Sequence, residues 1–173
     1  MDFFTEYIIK QKKSPKVWLA VFGMLVAILA VWFFSMPFLA SPALSGIVGL
    51  LDAGIVYVAY IVITNFNIEY EYIATNTDLD VDKIINRRKR KRVCSFRLSE
   101  IELMAPVGSA EFKGDENSTF KNVYMAAISA DHPDAYFIIY EKNGERNKLV
   151  FNPTEKIIEY AKKISPRKVH TKA

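Results

Sequence analysis

The stretch VWLAVFGMLVAILAVWFFSMPFLA, residues 17–40, carries no Lys, Arg, Asp, Glu or His, and it decides the class of the chain. An α-helix needs roughly 20 apolar residues to cross a hydrocarbon core about 30 Å thick, and this run supplies them. Inside lipid the backbone N–H and C=O groups find no water, so an isolated apolar run of this length must satisfy them as a helix. Trp18 stands at one end, with Trp32, Phe33 and Phe34 toward the other, where aromatic rings favour the membrane–water boundary. A cleaved secretion signal has an apolar region of about 7–15 residues, too short to match.

Working outward, Pro37 and Ser41-Pro42 are expected to break the first helix in a tight, uncharged turn. A second apolar run, 43–64, follows at once, with Tyr57 and Tyr60 toward its far end. So short a link predicts an antiparallel transmembrane hairpin over 17–64. Lys10, Lys12, Lys13 and Lys16 precede the first span, and Arg87-Arg88-Lys89-Arg90-Lys91-Arg92 follow the second. Basic residues stay on the inner side, which predicts a multi-pass protein of the cell membrane with both termini cytoplasmic. Segment 1–16, with Phe3, Phe4, Tyr7 and Ile8 beside the lysines, reads as a short interfacial helix or an unstructured arm.

Asp52 interrupts the second span near mid-depth, where an aspartate costs roughly 2.5–3.5 kcal/mol on insertion scales. It borders Ser45, Gly49 and Ala53, a small-xxx-small stripe of the kind that lets helices approach closely, and Gly23, Ala27 and Ala30 offer a matching stripe on the first span. Helix packing or oligomerisation, an ion or proton pathway, and an incidental acid are the readings open to it. The stripe favours packing, and neither span holds a Lys, Arg or His to pair with the acid.

The rest of the 173-residue chain has room for one soluble domain. From residue 65 onward it carries 19 basic and 16 acidic residues, an ordinary soluble balance. Residues 67–75 (NIEYEYIAT) alternate polar and apolar as a half-buried strand does, and so do Asp78 to Asp82. The three aspartates do not make an EF-hand, since no Gly follows Asp82 and the twelfth position is Lys89. Further strands are expected at 93–98, 123–130, 135–141 and 148–151, with 99–107 apolar at Ile101, Leu103 and Met104 and a loop over 108–122. Asp131-His132-Pro133-Asp134 and Lys142-Asn143-Gly144 are turn signals. Asn152 as N-cap, Pro153 at the first position and Glu155 predict an amphipathic C-terminal helix bearing Ile157, Ala161 and Ile164, stopped by Pro166. The basic tail, 167–173, is expected to be disordered.

Six or seven short strands closed by one helix follow the plan of a pleckstrin-homology-like barrel or sheet domain. The segments Tyr70-Glu71-Tyr72-Ile73-Ala74-Thr75-Asn76 and Leu98-Ser99-Glu100-Ile101-Glu102, with the basic run between them, resemble the opening strands of bacterial PH-like domains, and the whole chain resembles a small bacterial family in which two spans precede such a domain. The resemblance covers about residues 65–166 and implies an α+β membrane protein with a cytoplasmic binding module. It implies no reaction.

Catalytic patterns are absent from the sequence. His132 and His170 have no spaced partner for a metal, and there is no Gly-rich phosphate loop and no G-x-S-x-G. No cofactor, metal or catalytic residue is therefore expected. Cys94 is the sole cysteine, which excludes an intrachain disulfide and reads as a small core residue. Two readings of function remain. In one, the module binds a protein partner or anionic headgroups of the inner leaflet through Arg87, Arg88, Lys89, Arg90, Lys91 and Arg92. In the other, the chain is a structural subunit of a larger membrane complex, or a homo-oligomer, assembled through Ser45, Gly49, Asp52 and Ala53. Nucleic acid is not an expected partner, because no aromatic residues interleave the basic run to stack on bases.

Overall fold

The computed structural model describes residues 3–109 and 119–172. The chain divides into two compact units, Met1–Lys12 with Ile68–Ala173, and Lys13–Asn67.

The smaller unit is a pair of helices, α1 (Pro15–Leu39) and α2 (Ser45–Asn65), both long and apolar enough to cross a membrane. Pro15 takes the first helical position, where a missing N–H costs nothing. Pro37 does not break α1, which continues through it to Leu39; it lies in the final turn, where only one backbone bond is lost. The helices meet along Val17, Val21, Met24, Ile28 and Ser35 of α1 and Ser45, Val48, Gly49, Asp52, Ala59 and Ile63 of α2, the residues each helix shields. These recur at the three-and-four spacing of helix packing. Gly23, Ala27 and Ala30 are exposed on the opposite side of α1, so the expected matching stripe does not face α2. Larger Val, Met and Ile side chains fill that contact instead.

The larger unit is two four-stranded sheets. Sheet A runs β1-β2-β3-β4: β1 (Phe4–Lys10), β2 (Ile68–Thr75), β3 (Asp78–Ile85) and β4 (Lys89–Arg97), antiparallel throughout. The segment 4–10 is thus a strand, not an interfacial helix or an arm. Ile9 points into the core at 4% exposure, while Phe4, Glu6, Ile8 and Lys10 lie on the other face. Strand β4 begins at Lys89, four residues before the expected start at Val93.

After a short 3₁₀ turn (Leu98–Glu100), sheet B runs β5-β7-β8-β6: β5 (Ile101–Pro106), β6 (Asn122–Ala126), β7 (Tyr136–Lys142) and β8 (Glu145–Phe151). Of the expected loop 108–122, residues 110–118 lie outside the described residues. The expected Asn-Gly hairpin joins β7 to β8, with Asn143 and Gly144 both at positive φ as a two-residue turn requires. Strand β6 pairs with β8 in parallel rather than with its sequence neighbour β7, because the nine-residue link 127–135 is too long for a tight hairpin.

The sheets do not close into a barrel. They face one another across a core of Tyr70, Tyr72, Leu79, Val81, Cys94 and Phe96 from sheet A and Met104, Ile138, Tyr140, Leu149 and Phe151 from sheet B. Phe96 stacks on Tyr140 at 3.9 Å, and Tyr72 meets Phe151 edge-on at 5.5 Å. Helix α3 (Glu155–Ile164) adds Ile157 and Ala161 to the same core. Its N-cap is Thr154, two residues beyond the expected Asn152. Asn152 is instead a cross-link: its Oδ1 accepts the Ile128 N–H at 2.8 Å and its own N–H donates to the Tyr72 hydroxyl at 3.2 Å.

The tail is docked rather than disordered. Met104 N–H donates to Lys168 O and His170 N–H to Met104 O, each at 2.8 Å, so the tail pairs with β5, and Val169 is buried beneath it. An unpaired strand edge and one apolar side chain are what fix a segment that reads as basic and loose.

Candidate functional site

One end of sheet A gathers the basic residues. Lys10 pairs with Glu69, Ile68 with Ile85, and Ile85 with Lys89, so the end of β1, the start of β2 and the β3–β4 turn share one edge. The turn is Asn86-Arg87-Arg88, closed by the Arg88 N–H donating to Ile85 O at 3.1 Å. Asn86 and Arg87 both have positive φ. Asn tolerates that region, whereas an Arg there costs about 1 kcal/mol, so the turn places a cation at its tip against backbone preference.

The six cations are all exposed but fall into two sets. Arg87 Nε lies 3.3 Å from Glu69, Arg90 lies 3.0 Å from Glu71, and Arg92 joins Asp80 at 2.8 Å and also Asp82. These arginines are latches on the outer face of sheet A. Arg88, Lys89 and Lys91 make no ion pair among the described residues.

The latching acids escaped the sequence reading, although the signal was present. Glu69 and Glu71, like Asp80 and Asp82, sit two apart, and period two puts each pair on one sheet face, the face that the arginines of β4 and of the turn before it reach. Glu71 is the extreme case, with a side chain 1% exposed and an Oε2 that has no hydrogen-bond partner among the described residues. Burial raises its carboxyl above the ordinary value, the adjacent Glu6 carboxyl adds to the rise, and Arg90 opposes it.

Within the helix pair, Ser45, Gly49 and Asp52 are half-buried and Ala53 is exposed. Asp52 Oδ2 lies 2.8 Å from the hydroxyl of Ser35, a residue sequence reasoning passed over although it is a lone polar side chain within the first apolar run.

The sites considered for chemistry resolve differently. Cys94 is buried, and burial pushes its thiol up to about 12, which suits a core residue and not a nucleophile. His132 Nδ1 accepts the Asp134 backbone N–H at 3.2 Å and lies 3.2 Å from Asn152 Nδ2. The nitrogen that a carboxylate would orient in a catalytic pair is thus occupied by its own turn.

Two facing sheets and a closing helix, joined to two long apolar helices, define a PH-like module with a candidate membrane hairpin. The chain belongs to the family described as Bacterial PH-like domain (DUF6106), which matches residues 1–171 and so takes in β1 and the helices as well as the domain. No curated protein and no solved structure matches it. PH-like domains are typically non-catalytic binding modules.

Proposed function

We propose that the chain is a non-catalytic, membrane-anchored module whose hairpin spans the cell membrane, with both termini cytoplasmic, and whose basic sheet edge meets anionic headgroups of the inner leaflet. One observation carries the reading: β1 precedes the hairpin in sequence, β2 follows it, and the two pair along their whole length in one sheet. Strands that pair must lie in one compartment, which two spans permit and one span forbids. The lysines and arginines flanking the hairpin make that compartment the cytoplasm.

Exposure supports the spans. Phe33 is 75% exposed and Leu50 77%, which is untenable in water for helices of this length and natural in lipid. The basic edge is also the edge where the chain departs and returns. Only Gln11 to Ser14 separate β1 from α1, and only Phe66 and Asn67 separate α2 from β2. Each cation that reaches anionic headgroups contributes on the order of 1 kcal/mol within a Debye length of about 8–10 Å.

The test uses residues 1–12 spliced to 68–173 by a short Gly-Ser linker, with vesicles of neutral or anionic lipid. Replacing Arg88, Lys89 and Lys91 together by Ala is expected to weaken binding to anionic vesicles about 100-fold and to leave the melting temperature unchanged. Equal binding to neutral and anionic vesicles refutes the lipid role and favours a protein partner on the same edge.

A further inference from the structure

Between α1 and α2 lies an open groove of about 840 Å³. Trp32 and Ser35 line it from α1, and Gly49, Asp52, Ala53 and Tyr60 from α2. Along α2 it runs from Gly49 to Tyr60, roughly 16 Å or about three helical turns. Its walls are apolar and its polar floor is the Ser35–Asp52 pair.

That pair leaves the acid under-served. Ser35 has one hydroxyl hydrogen and two acceptors in reach, Asp52 Oδ2 at 2.8 Å and Trp32 O at 3.0 Å. It is the one side-chain donor to Asp52 among the described residues. A carboxyl at mid-span that faces an open groove needs a further donor, because lipid supplies none. A second copy of this chain brings no cation, since residues 17–68 hold no Lys, Arg or His.

We propose that this groove receives a transmembrane helix of another protein bearing a Lys or Arg at mid-depth, and that Asp52 is the anion it meets. The groove length matches a helix contact, the small residues Gly49 and Ala53 let a backbone approach, and the charge is complementary. A Cβ at Gly49 would meet nothing within 4 Å, so the groove has room there for a neighbouring backbone. The inference rests on the reading of the hairpin as membrane-spanning.

The test uses the full chain in neutral phosphatidylcholine liposomes, which removes surface electrostatics, with synthetic Leu/Ala spans of about 22 residues carrying one central Lys, Leu or Glu. Quenching of Trp fluorescence by brominated lipid reports insertion first; without it both the spanning reading and the groove are overturned. With insertion established, energy transfer between labelled chain and peptide is expected to show the Lys span binding about tenfold more tightly than the Leu span. Asp52→Leu should abolish that preference. Gly49→Leu, which keeps the acid and fills the open space, should weaken the Lys span as well. Equal binding of the Lys and Leu spans, or a preference that survives Asp52→Leu, overturns the groove alone. Tightest binding by the Glu span, or Asp52-dependent self-association that displaces the peptide, does the same.

Discussion

Glu71 sits where a carboxylate is least welcome, buried on sheet A with Oε1 held by Arg90, Oε2 without a hydrogen-bond partner among the described residues, and the Glu6 carboxyl raising its pKa. Because its folded value is raised, the native state binds the proton more tightly than the unfolded chain does. Its contribution to stability is therefore fully present below the ordinary carboxylate value and is lost as pH rises through the raised one. Glu71→Gln keeps an acceptor for Arg90 and gives Glu6 a donor, so it should stabilise the domain by about 1 kcal/mol at pH 7 and by less toward pH 5. Denaturant melts at the two pH values check this; a variant less stable at pH 7 would contradict it. The arginines divide along the same lines. Arg90→Ala uncovers Glu71 and should cost about 1–3 kcal/mol, whereas Arg87→Gly relieves a left-handed Arg and loses only an exposed ion pair, leaving stability equal or higher by up to about 1 kcal/mol.

Among the elements, β1 and the tail make the domain larger than its sequence suggests. A fragment beginning at Asn65 loses β1, and with it the burial of Ile9, worth about 1.5–3 kcal/mol, and the pairing of one edge of β2. That fragment should melt well below the spliced form, 1–12 joined to 68–173, by circular dichroism. Equal melting temperatures would show that β1 is dispensable. Truncation after Pro166 should likewise lower the melting temperature, through loss of Val169 burial and the pairing with Met104. Strands β2 to β4 and β6 to β8, the Asn143-Gly144 turn and the two apolar helices were legible because each is written locally, in a period of two, a dipeptide or an uncharged run, whereas β5 read only as an apolar stretch. The segment 4–10 was not. Its Phe4, Tyr7 and Ile8 suit a helix face as well as a strand, and only the distant partner 68–75 decides between them. The tail's docking hangs on one valine, and the arginine latches on register between strands far apart in sequence. Such facts live in tertiary structure.

For the whole molecule, the pairing of β1 with β2 ties topology to fold, since a chain that misplaces either flank cannot complete sheet A. In intact cells an impermeant maleimide should label Ser41→Cys but reach Lys168→Cys only after permeabilisation. Cys94 adds no background, being buried with its thiol held at about 12. Labelling of the tail in intact cells would reverse the orientation. The position of the basic edge is measured most directly in the full chain reconstituted in anionic liposomes, with a fluorophore at Arg88→Cys or at Thr77→Cys and quencher-labelled headgroups. These sites lie at opposite ends of the same sheet, separated by the eight residues of β3, roughly 25 Å and well beyond a Debye length. The account predicts strong quenching at position 88, diminished in neutral bilayers or high salt, and little at position 77. Equal quenching at the two sites, or quenching at 88 that ignores lipid charge, would contradict it.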